Sequence, residues 1–120
     1  MYLFSFEKLE VWKDTRVLVK MIYGLTEGFP SSEKFGLINQ MNRAAVSVAS
    51  NIAEGSARVS AKDKAKFMHI AFGSLMELLN QLIIAGDFGW VNEEQLKSGR
   101  SQIEKVANKL NALEKAYLSK

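Results

Sequence analysis

His69 is the only histidine in the 120 residues, and so the one side chain whose ordinary pKa suits proton transfer near neutral pH. A serine nucleophile would need it as a base. No acid lies three or four residues away to orient the ring, and Lys66 stands three residues before it. The Glu-x-x-His pair of di-iron bundles is therefore absent. Glu54 and Glu77 are the only acids in the weakly charged middle of the second and third helices predicted below, too few for a dinuclear cage. With no cysteine, thiolate zinc sites and thiol nucleophiles are excluded. Gly86 and Gly89 flank Asp87 and Phe88 without a following Lys-Ser/Thr, so they do not form a phosphate loop. No catalytic residue, metal or cofactor is expected, and the chain is not expected to be an enzyme.

Cations offer a different chemistry. Arg58, Lys62, Lys64 and Lys66 crowd one stretch, opposed only by Asp63. Lys13, Arg16 and Lys20 share a helix face, as do Lys105 and Lys109. Such clusters can meet phosphates, and a symmetric oligomer would repeat each of them around a rim. Each cluster alone is explained equally well as a solvated helix surface. The formal excess of +3, with 24% charged residues, permits a polyanionic partner, RNA or DNA, without demanding one.

These residues sit on few, long elements, because Pro30 is the only proline. A first helix is predicted from about Glu7 to Glu27, with apolar steps at Leu9, Trp12, Val19 and Ile22 and a second line at Val11, Leu18 and Leu25. Gly28, Phe29 and Pro30 end it. Ser31 or Ser32 is expected to cap a second helix reaching Arg58, with Glu33 in its first turn and a seam of Ile38, Met41, Ala45, Val48 and Ile52. Ser60 and Asp63 open a third, over about Ala61–Ala85, and Gly86–Gly89 form the next turn. Asn92 and Gln95 open a fourth, with a seam of Leu96, Ile103, Val106, Leu110, Leu113 and Tyr117. No strand pattern or linker is seen. One all-α domain over residues 1–120 is expected, an antiparallel up-and-down four-helix bundle of helices about 30–38 Å long.

The third helix has an unusual composition. Between residues 67 and 85 the only formal charge is on Glu77. Ten apolar side chains from Phe67 to Ile83 fill one half of its wheel, and Ile70 and Ile84 interrupt the weakly polar other half. A helix with so little charge is expected to be covered nearly all round. Self-association across Ile70, Glu77 and Ile84 follows. The second helix instead carries a polar seam of Gln40, Arg43, Ser47, Asn51, Glu54 and Arg58, suited to fixing register between helices or subunits; Glu54 and Arg58 can pair across one turn. The start, MYLFSFEKLEVW, has Glu7 and Glu10 where a signal peptide would be basic, then apolar. No apolar run reaches the length that spans a bilayer. A reducing cytoplasm without membrane contact is the expected setting.

The string from Gln40 to Arg58, QMNRAAVSVASNIAEGSAR, resembles the signature of the four helix bundle protein family, also called 23S rRNA intervening-sequence proteins. Leu9 with Val11-Trp12, Phe29-Pro30 with Glu33 and Gly36-Leu37, and Ala71 with Gly73-Ser74 and Glu77 extend the likeness over nearly the whole chain. The resemblance implies an up-and-down bundle and a ring-like homopentamer, as in related accessory proteins of diversity-generating retroelements. Those relatives use a basic pentamer surface to bind nucleic acid and a reverse transcriptase. It thus implies a ribosomal-protein-like, nucleic-acid-binding oligomer, or alternatively a scaffold that docks a protein partner.

Overall fold

A computed structural model describes all residues, Met1–Lys120. Four helices carry the chain: α1 (Glu10–Thr26), α2 (Leu37–Ser56), α3 (Ala61–Asp87) and α4 (Glu93–Leu118). Short 3-10 turns precede the first two, at Ser5–Lys8 and Ser31–Glu33. Consecutive helices pack side by side and α1 closes on α4, so the diagonal helices are not backbone neighbours and meet only across the core. The result is an antiparallel bundle with principal extents of 45 × 28 × 22 Å.

The boundaries show where capping outweighed periodicity. α1 starts at Glu10 rather than Glu7, because Leu9 turns extended (φ −74°, ψ 126°) to lay its side chain against the core. Ser31 and Ser32 do not cap α2. They begin a single 3-10 turn, and the helix starts only beyond Gly36 (φ −109°, ψ −116°). There the carboxylate of Glu33 accepts the Leu37 N–H at 3.3 Å, four residues ahead of itself. A Cβ on Gly36 would stand 3.0 Å from that same carboxylate oxygen.

The other caps follow the sequence more closely. Ser60 accepts the Asp63 N–H, and Asn92 and Gln95 form a reciprocal capping box with bonds of 2.8 and 2.9 Å. α2 stops at Ser56, two residues short of Arg58. α3 runs two residues further than expected, through Gly86 and Asp87, and ends in a Schellman motif. Gly89 takes φ +77°, its N–H bonds the Gly86 carbonyl, and the Trp90 N–H bonds that of Ala85. Phe88 stacks on Trp90 and Phe29 leans on it, closing that end of the bundle.

The core is made by Leu18 and Ile22 of α1, Met41, Ala45, Val48 and Ile52 of α2, Met68 to Leu82 along α3, and Ile103, Val106 and Leu110 of α4. On α1 the innermost line is Val11, Thr15, Leu18 and Ile22, whereas Leu9, Trp12 and Val19 are half-buried. Thr15 joins it because its hydroxyl donates to the Val11 carbonyl at 2.7 Å within the helix, which satisfies the one polar group it buries. α3 is the one helix long and apolar enough in composition to cross a bilayer, with a mean hydropathy of 1.4 over 18 residues, although no single run is uninterrupted. In the bundle its stripe of Met68, Ala71, Leu75, Leu78 and Leu82 is buried between α2 and α4.

Candidate nucleic-acid interface

The antiparallel topology gathers the start of α1, the α2–α3 turn and the end of α4 at one end. Divided at mid-length, the half built from residues 1–18, 47–74 and 105–120 holds eleven of the 16 Lys/Arg and six of the 13 Asp/Glu. The opposite half keeps five bases and seven acids. The bundle is thus electrically lopsided, and the basic half contains nearly every cation singled out in the sequence. Of the cations in the three clusters, Lys20 alone lies beyond the cut, as does Arg43 of the polar seam.

Within that half the cations have unequal duties. Lys64 turns inward: its ammonium donates to the Ser56 carbonyl at 2.8 Å, capping the end of α2, and lies 5.9 Å from the Tyr117 ring. Partial burial of Tyr117 raises its pKa above the ordinary 10.0. Lys109 of α4 pairs with Asp14 of α1, whose backbone carbonyl also accepts from Gln102, so this cation ties two helices together. Arg58 lies 3.8 Å from Glu54, and its guanidinium sits 4.6 Å from the Phe67 ring centroid. Lys13 faces Glu10, and Arg16 lies over Trp12. Lys62, Lys66 and Lys105 are exposed and make no ion pair, and neither does Lys20. At the α2–α3 turn the open cations are therefore Lys62 and Lys66, with Arg58 exposed beside Glu54, while Lys64 and Lys109 serve the fold.

Of the polar seam on α2, Ser47 and Asn51 are half-buried beside α3 within one protomer, while Gln40, Arg43, Glu54 and Arg58 are exposed. Ser47 and Ser74 hydroxyls lie 3.0 Å apart, and the Asn51 amide donates to the Ser47 carbonyl and hydroxyl at 2.9 and 3.2 Å. Gln40 and Arg43 with Asn39, Ser47, Ser74 and Glu77 line an open groove of about 400 Å³. Gln81 donates to Glu77 at 3.1 Å. On the outer side of α3, Ile70 is 42% exposed and Ile84 half-buried, with Gly73, Glu77 and Asn80 exposed between them. The three residues named for the subunit interface share one outward stripe.

His69 does have an acidic neighbour. Glu114 of α4 approaches its Nδ1 at 3.7 Å, an acid that spacing along the sequence could not reveal. The imidazole is three-quarters exposed and no serine hydroxyl is bonded to it. No three His, Asp or Glu side chains come together as a metal-binding group. Tyr2 and Phe4, which helical periodicity could not flag because they precede the first helix, are exposed next to the basic turn.

These features define an all-helical bundle with a polar α2 seam and a cation-rich end. Residues 7–112 match the family described as 23S rRNA-intervening sequence protein, and the chain belongs to that family. A crystal structure of a protein with unknown function from the S23 ribosomal protein family of Bacteroides thetaiotaomicron has the same fold, with a TM-score of 0.81. It is 21% identical in sequence, and the match covers 88% of this chain and 95% of that one. No curated protein matches the sequence.

Proposed function

We propose that this protein is a non-enzymatic, oligomeric nucleic-acid-binding protein whose preferred ligand is RNA, working in the cytoplasm. The observation that carries this reading is the exposed cationic surface of Arg58, Lys62 and Lys66 on a half of the bundle where bases outnumber acids. Family membership points to RNA rather than another polyanion, since the family takes its description from the rRNA intervening sequence. The outward stripe of Ile70, Gly73, Glu77, Asn80 and Ile84 supports self-association, and a ring of five subunits is the assembly implied by the sequence resemblance. In such a ring each basic turn would recur five times, and multivalent contact would offset the small charge of one protomer.

The test is binding to structured RNA over a salt series. Affinity should fall steeply with salt, because each phosphate contact releases counterions. Lys62→Glu with Lys66→Glu should weaken binding without unfolding the protein, since neither side chain has a structural partner. Lys64 is unsuitable for this purpose because it caps α2. Absence of binding even at low salt would remove the reading. Recovery of a protein rather than RNA with the purified oligomer would favour a scaffold in its place.

A further inference from the structure

Tyr2 is 77% and Phe4 62% exposed, and their rings meet edge to face at 5.1 Å. Two aromatic rings held together in water form a flat apolar surface suited to a ligand. The segment is held in place. The Phe4 N–H donates to Glu7 at 2.9 Å, and the Ser5 hydroxyl lies 3.4 Å from that of Ser56, the last residue of α2. Two residues on is Arg58, and Lys62 and Lys66 follow on the first turns of α3. Val59, at the same turn, is fully exposed. Flat apolar rings and unpaired cations thus share one end of the bundle, and the Arg58 guanidinium, backed by Phe67, offers a further flat face.

The charge of that end selects among occupants. A second copy of the same end would set one positive excess against another, which opposes two-fold pairing. A ligand with dispersed negative charge and flat apolar faces complements both features, and a nucleic acid strand with unpaired bases has them. A duplex hides its base faces in the stack and could use only the cations. We infer that Tyr2 and Phe4 form a stacking platform for unpaired bases, which Arg58, Lys62 and Lys66 supplement by holding the phosphates of the same strand. This rests on the nucleic-acid reading above and adds that the ligand is single-stranded where it meets the protein.

The experiment compares the intact protein's affinity for poly(U) with that for a poly(A)·poly(U) duplex at low salt, with oligomer mass followed by light scattering. The Tyr2→Ala/Phe4→Ala variant should lose about 10-fold or more in affinity for poly(U), while its duplex affinity stays within about twofold and its mass is unchanged. Lys62→Glu/Lys66→Glu should weaken both polymers alike. If the aromatic variant binds poly(U) as well as the parent, or loses both polymers equally, the platform is refuted while the nucleic-acid reading stands. If its mass falls, Tyr2 and Phe4 belong to a subunit contact and the inference is overturned. If the parent protein binds neither polymer, the underlying reading fails, and the platform with it.

Discussion

Gly55 stands where α2 packs tightly against Phe67 and Met68 of α3. A Cβ there would lie 2.5 Å from the Phe67 Cβ and 2.7 Å from the Met68 Cε. The Phe67 contact is with the root of a side chain, which can move only with its backbone. Gly99 presents the gentler case, because its added methyl would meet the Leu82 Cδ2 at 2.8 Å, the far end of a flexible chain. Gly55→Ala should cost about 1–3 kcal/mol, and Gly99→Ala less, against the modest gain alanine brings to a helix. Urea unfolding of the two variants checks this, and equal stability would show that α2 can shift away from Phe67. Tyr117 gives a prediction in pH. Burial disfavours its phenolate, so the folded chain holds this proton more tightly than the unfolded one. The associated stability is complete below 10.0 and is lost as pH rises through the higher folded value. Thermal unfolding of Tyr117→Phe should therefore decline less steeply under alkaline conditions than that of the parent.

At the scale of the helix, two N-termini are capped by different devices. Asn92 and Gln95 cap α4 reciprocally, and Asn92→Ala should cost about 1 kcal/mol. α2 has no side-chain cap at Gly36 and depends on Glu33, whose carboxylate also lies close to the helix dipole. Glu33→Ala should cost a similar amount and fray the first turn of α2, which amide hydrogen exchange at Leu37 and Ile38 would report. The contrast explains what the sequence made legible. The Asn92 box has its polar residues at the spacing helices use, so the start of α4 could be read directly. The cap of α2 reaches across a 3-10 turn and a glycine, and two serines nearby offered a more familiar pattern. Core seams on α2 and α4 were readable because apolar residues recur every three or four positions. Thr15 was missed because its burial depends on a hydroxyl bond that composition does not show. The basic turn was legible as a run of cations. Which cations stay open was not, since the partners of Lys64 and Lys109 come from residues eight or more positions away and, for both, from another helix.

For the whole molecule, the decisive features are the charge asymmetry between its ends and the sparsely charged outer face of α3, where Glu77 is the one acid between Ile70 and Ile84. They meet along α3, where Ile70 follows Lys66 by one turn, so a change at this face is read in both assembly and ligand binding. Ile70 is the better probe of assembly, because it is exposed in the protomer while the core stripe runs through Met68, Ala71 and Leu75. A glutamate there costs the isolated fold little. Buried between subunits, its unpaired charge would carry a penalty of several kcal/mol at each contact. Ile84 is half-buried already, so Ile84→Glu would combine loss of assembly with some loss of stability. The expected outcome for Ile70→Glu is a protein of protomer mass by light scattering with unchanged helicity by circular dichroism. Its affinity for RNA should fall as well, through loss of multivalency, although every cation at the α2–α3 turn is intact. An Ile70→Glu protein that stays oligomeric would place the subunit contact elsewhere. One that dissociates yet binds RNA undiminished would show that a single basic end suffices.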